Sequence, residues 1–199
     1  MAAGKVCTGF SKPYVAKYSA SGTTVTYSDA QLLARGVEVN LEVESGDANN
    51  FYADNIVAET EAGQFTGGTL TLTVDGLLQD MEKYLHGLEN AGADGFVAYG
   101  DNNAPYVAVG FLVRYMSAGV TYYTPVVVAK CLFADSSLSA KTQEDQIDWQ
   151  TQELKAAVLR DDTTDRAWKY VGTDYTTEAA AEAALQTKLN YTPTPIITT

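Results

Sequence analysis

Two cysteines and one histidine are all that 199 residues offer of the side chains most used in metal centres and nucleophilic sites. Cys7 and Cys131 have no CxxC or Cys/His spacing around them. They read as free thiols suited to a reducing compartment, Cys131 as a small core residue within VVVAKCLF. His86 has no second ligand or nucleophile in local register, which argues against catalytic triads and histidine-rich zinc sites and leaves a surface or helix-capping histidine. Positive charge is scarce too: 13 basic residues against 25 acidic ones give a formal charge of -12. A chain of that balance repels nucleic-acid phosphate and anionic lipid. No apolar run approaches the roughly 18 residues of a membrane span. The opening MAAGKVCTGFSKPYVAKY has no apolar signal core, so the expectation is a soluble, non-secreted product with no membrane partner.

Catalytic and cofactor motifs are missing as well. There is no GxGxxG, GxxxxGK[ST], GxSxG or HExxH. GDANNFYADN has the oxygen donors of a calcium loop, but Tyr52 stands at the sixth position, where an EF-hand needs glycine. A glycosidase needs only two carboxylates, and 25 acidic residues single out no pair. The expectation is therefore no enzyme, no cofactor and no metal.

What the chain does have is strand periodicity. PYVAKYS and TTVTY flank an SASG turn, and GVEVNLEVES from Gly36 to Ser45 alternates Val37, Val39, Leu41 and Val43 with Glu38, Asn40, Glu42 and Glu44. That is the period of a strand with one apolar and one wet face. Successive carboxylates on the wet face, such as Glu42 and Glu44, lie roughly 6.8 Å apart and repel by about 2.4 kcal/mol at a surface dielectric of 20. FYADN and IVAETEAGQF come next. In GGTLTLTVDG, Leu70, Leu72 and Val74 then alternate with Thr69, Thr71 and Thr73.

Leu77, Leu78, Met81 and Leu85 fall at helical spacing, with Asp75 as N-cap and Gly87 as C-cap, which predicts a short helix over about 76–86. PYVAVGFLVRYM and VTYYTPVVVAKCLF are apolar on both faces and joined by SAG, so these strands are either central or covered by another subunit. Between Lys141 and Asp162, TQELKAAVLR has helix propensity, a weak prior. AWKYVGTDY reads as a strand, and TTEAAAEAALQTKLNY as a C-terminal helix over about 176–190. The termini 1–12 and 191–199 read as flexible or ordered only on assembly, around one domain spanning 1–199.

FYADNIVAETE, GTLTLTVDGL, YGDNNAPYVAVGF, YYTPVVVAKCLF and KTQEDQIDWQTQELKAAVLRDD with AWKY resemble, in order and spacing, the major tail proteins of phages with long non-contractile tails. These are the phi13-like and lactococcal-phage-like tube subunits, and the resemblance runs from about Pro13 to Leu189. It implies a mainly β fold, a β-sandwich or open barrel of the phage tail-tube type with a short flanking helix, similar also to type VI secretion tube proteins. It implies hexameric rings stacked into a hollow virion tube that conducts the genome, assembled in the bacterial host cytoplasm. The implied partners are the chain itself and tape-measure, tail-tip and tail-terminator proteins, with DNA passing through unbound. It further implies that IDWQTQELKAAVLRD is extended, against its propensity.

On that resemblance the acidic strand face acquires a use. A lysine-lined bore would hold each phosphate it met, whereas carboxylates and hydroxyls keep a polyanion hydrated and mobile. Glu38, Asn40, Glu42 and Glu44, with Thr69, Thr71 and Thr73, are the candidate lumen-facing residues; a merely solvated outer face is the alternative. The polar stretches Asp47 to Asn55 and Gly92 to Asn103 read as loops that could carry contacts. Asp47, Asn50, Tyr52 and Asp54 are the candidate ring-to-ring contact. Two other functions stay open: a binding or adhesion module of a tail or fibre, and a carbohydrate-active enzyme on a β-sandwich.

Overall fold

The computed structural model describes residues 4–89, 94–135, 137, 140–142 and 149–193. The fold is mainly β, and every strand pairing is antiparallel. In chain order the elements are β1 (Val6–Ser21), β2 (Thr24–Leu32), β3 (Gly36–Ser45), β4 (Asn49–Ala53), β5 (Ile56–Glu61) and β6 (Phe65–Val74). Then follow α1 (Gln79–His86), β7 (Val107–Ser117), β8 (Val120–Phe133), β9 (Gln152–Leu159), β10 (Lys169–Val171) and α2 (Glu178–Lys188). One sheet has the order β2-β1-β7-β8-β9-β6-β3, with β10 added to β8, while β4 and β5 form a separate hairpin.

The large sheet curls on itself. β1 and β3 have four strands between them in the hydrogen-bonded order, yet Phe10 of β1 occupies the space that a side chain on Gly36 at the start of β3 would need. The ladder stays open at that seam, which is closed by packing: Phe10 sits edge-on to Phe111, with ring centroids 5.5 Å apart, and belongs to the main core. That core fills the inside of the curl with Val15, Leu70, Leu72, Val109, Val128, Leu154 and their neighbours. The alternating residues of β3 and β6 supply it, Val39 and Leu41 from one strand and Leu70, Leu72 and Val74 from the other, as their period of two requires.

The two long apolar runs are β7 and β8, joined through Ala118 and Gly119, both with positive φ. They are central strands covered on both sides. Val107, Val109 and Phe111 face the main core, while Ala108 and Leu112 face a second core built with Tyr14, Val127, Ala181, Leu185 and Leu189. α2 supplies the cover. Thr177 caps it, its hydroxyl accepting from the Ala180 amide, and Leu185 and Leu189 fill the place that a side chain on Gly110 would take. Tyr14 donates to Glu182 at 2.7 Å and accepts from Gln186 at 2.9 Å across the same contact. Burial, and then the carboxylate beside it, push this phenol up to about 12.

Three expectations are corrected, and one made against propensity is met: within IDWQTQELKAAVLRD, expected to be extended, Gln152–Leu159 is a strand between β6 and β8, with Leu154, Ala156 and Val158 pointing into the core. α1 begins later than expected, at Gln79, with Leu78 at its N-cap and no side-chain cap. Asp75 instead accepts from the Arg35 Nε at 2.5 Å and from its backbone amide at 3.1 Å, tying the start of β3 to the end of β6. His86 is neither a surface nor a capping residue; it is buried, because the last turn of α1 is covered by residues far along the chain. From Val6 onward the expected flexible start is strand β1, paired with β7. The αL residue that ends α1 is Gly87, as its position in the sequence suggests.

Candidate functional site

The residues singled out on the wet face of β3 and on β6 come together in one ladder. Glu38 lies opposite Thr73, Asn40 opposite Thr71, Glu42 opposite Thr69, and Glu44 opposite Gly67. Since Val39, Leu41, Leu70 and Leu72 point into the core, all of these side chains point away from it. The ladder continues onto β9, where Thr73 faces Glu153, Thr71 faces Lys155 and Thr69 faces Ala157. Asn40 donates to Glu42 at 3.1 Å and Lys155 pairs with Glu153 at 3.1 Å. The threonines of β6 keep the carboxylates of β3 and β9 two strand spacings apart, roughly 9.6 Å, which exceeds the screening length of about 8 Å at physiological salt. Repulsion is thus confined to neighbours along β3.

The outside of the curled sheet is asymmetric. Over β1, β7 and β8 it is covered by α2. Over β3 and β6, no helix of the described residues lies on it: the four β3 residues are exposed and the three threonines half-buried.

Of Asp47, Asn50, Tyr52 and Asp54, only Asp47 lies in a connecting loop, between β3 and β4. Asn50 and Tyr52 are strand residues of β4, and Asp54 with Asn55 makes the two-residue turn into β5. Both turn residues have positive φ, 51° and 65°, the hairpin geometry that matches strand twist. Thr60 donates to Asn50 at 2.8 Å across the pair. The reading as a loop failed because the alternation is broken: the register slips between Phe51 and Tyr52.

This hairpin is an arm that continues the β3–β6 pair, and every residue of β4 and β5 is exposed. Its neck is narrow. The Gly46 amide donates to the Gln64 carbonyl at 2.9 Å, and the Gly46 carbonyl fills the place of a side chain on Gly63. The arm carries Phe51 at 64 %, Tyr52 at 62 % and Ile56 at 66 % exposure, with Val57 also open to solvent. Tyr52 was among the positions first singled out; Phe51, Ile56 and Val57 were not, and they are more apolar than Asp47, Asn50 and Asp54. The available signal was FYA and IVA on either side of Asp54-Asn55, two short apolar strands around a turn pair.

The second polar stretch, Gly92 to Asn103, is described only from residue 94. There it is pinned to α1: Tyr99 donates to Glu82 at 2.8 Å, and Gln79 donates to the Gly95 carbonyl at 3.0 Å. Among the described residues no group of three or more His, Cys, Asp or Glu could hold a metal ion. None of their helices is long and apolar enough to cross a membrane. Cys7 and Cys131 are free; burial pushes the Cys131 thiol up, away from a reactive thiolate.

Among known proteins, no family model matches this chain and no curated protein matches it.

Proposed function

We propose that this protein is a structural subunit that self-assembles head to tail, as a ring-forming component of a hollow phage tail tube. The observation that carries the proposal is the arm. An isolated two-stranded hairpin is marginal in water, and an arm with exposed Phe51, Tyr52, Ile56 and Val57 gains its stability by being covered. None of the arm's residues belongs to either core, so the body of the subunit gives these side chains no cover.

The ladder supports the tube form of the assembly. With α2 over β1, β7 and β8 and bare carboxylates and threonines over β3 and β6, the outer face of the curled sheet has two unlike walls, one fit for a bore and one for the exterior. Placing Glu38, Asn40, Glu42, Glu44, Thr69, Thr71 and Thr73 toward a bore presents passing DNA with carboxylates and hydroxyls, and the lysine of the adjoining β9, Lys155, is paired with Glu153. In this reading the arm, including Asp47, Asn50, Tyr52 and Asp54, makes the contact between successive rings, and DNA is cargo and not ligand. The virion tail is the corresponding location.

Negative-stain microscopy of the concentrated protein tests this directly. Rings or hollow tubes are expected, and Tyr52→Ala with Asp54→Ala should keep the fold, by circular dichroism, while removing the tubes. Discrete particles at every concentration, with tail-tip and tape-measure proteins supplied, would refute the reading and favour an adhesion module. A reconstruction with Glu42 on the outer surface would reject the lumen assignment alone.

A further inference from the structure

The arm needs an acceptor, and among the described residues three clefts are candidates. One, about 580 Å³, lies between β2 and the end of α2 and is lined by Ser28, Asp29, Gln31, Leu32, Asn190 and Tyr191. A second, about 380 Å³, is rimmed by Asp75, Glu82 and Glu153. The third, about 280 Å³, runs between β8, β10 and α2 and is floored by Pro125, Val127, Tyr170, Val171 and Leu185.

Charge and polarity select the third. Residues 47–61 of the arm contain Asp47, Asp54, Glu59 and Glu61 and no lysine or arginine. The first cleft is lined mainly by polar groups, with Leu32 and Tyr191 its larger apolar residues; the second has three carboxylates and, among the described residues, no basic residue in its lining, two of the three already paired with Arg35 and Lys155, and so has no free cation for an acidic arm. The third is apolar, and Lys188 stands at its rim with Nζ 4.0 Å from the centre of the Tyr170 ring. Lys169, at the start of β10, rests on Trp168 at 4.7 Å. Neither lysine is in an ion pair among the described residues, in a chain with 25 carboxylates to 13 basic groups. Val171 in the floor is 59 % exposed.

We propose that the tip of the β4–β5 arm of one copy seats in the β8–β10–α2 groove of a second copy. Phe51 and Ile56 enter the apolar floor, and Asp54 lies toward Lys188. The inference rests on the assembly reading above and deepens it by naming the acceptor. The two surfaces are different patches of one chain, so the contact is heterologous and propagates from copy to copy.

The test uses two full-length variants whose changes lie on opposite halves of the contact. Phe51→Asp with Ile56→Asp spoils the arm, and Ala184→Trp with Lys188→Glu fills and recharges the groove; Lys188→Glu alone is the surface control that leaves packing untouched. By sedimentation velocity, each double variant alone should stay monomeric, with association weakened at least thirtyfold. Lys188→Glu should weaken it about fivefold. Mixed one to one, the double variants should form a dimer that grows no further, because each supplies the half that the other lacks. If the groove variants polymerise like the wild type while the arm variant does not, the arm docks elsewhere and the inference fails with the tube reading intact. If the mixture gives the capped dimer but the wild type forms solid chains without a bore, the inference stands and the tube reading fails. A mixture that stays monomeric also overturns the inference.

Discussion

His86 is carried into the interior with neither ring nitrogen hydrogen-bonded among the described residues, and Asp135 is the nearest carboxylate, 3.8 Å from Nδ1. Burial lowers its pKa from the ordinary 6.5, and the charges of Asp135 and Glu82 only partly offset that. The folded state thus holds a neutral imidazole, while the unfolded chain takes up a proton below about 6.5. Stability is full above that pH. It falls as pH drops toward the folded-state pKa, by on the order of 1 kcal/mol per pH unit in that window. His86→Leu should therefore be neutral or stabilising at pH 7.5, since it removes an orphaned donor, and it should flatten the loss between pH 7 and pH 5.5. Urea midpoints at the two pH values measure this; equal pH slopes in wild type and variant would contradict it. The sequence could not reveal this burial. Met81 and Leu85 mark the apolar stripe of α1, but the cover over His86 comes from Tyr99 and Asp135, which are near it only in the fold.

At the scale of elements, α2 is docked by a few contacts that can be weighed. Leu185 is fully buried over Gly110, so Leu185→Ala should cost about 3 kcal/mol, within the usual range for such truncations, read from denaturant unfolding. A cost below about 1 kcal/mol would mean that the helix is not held this way. How legible each element was depended on whether its pattern was local. β3 and β6 could be read because period-two alternation survives in them, β7 and β8 because they are long apolar runs rich in valine on either side of a short turn, and α2 because Thr177 and the alanines fix it. β9 reads as helix by composition, and only its place between β6 and β8 makes it a strand. The arm was read as a loop because the slip between Phe51 and Tyr52 spoils alternation over just five residues.

For the whole molecule, the distribution of charge matters more than its total. The ladder on β3 and β6 was legible in advance as a wet face, since the alternation of Glu and Thr fixes which side chains share it. Its extension by Glu153 and Lys155 was not, because strand order is set by long-range pairing. If this face lines a bore, Glu38→Lys, Glu42→Lys and Glu44→Lys together should leave tubes intact but make them retain DNA. Binding should weaken steeply as salt rises, as counterion release demands. A pull-down of labelled duplex at 50 and 200 mM salt checks this, and tubes that still shed DNA at low salt would place the face outside.

The glycine neck at Gly46 and Gly63 has a further consequence. Because the arm shares no core with the body, its two strands can melt and re-form without disturbing a single buried residue of the sheet. In free subunits the amides from Asn49 to Glu61 should therefore exchange with deuterium almost as fast as an unstructured peptide, and freeze once a neighbour clasps them. Solvent exchange along thirteen residues would then serve as a clock for polymerisation, one that leaves the rest of the chain silent.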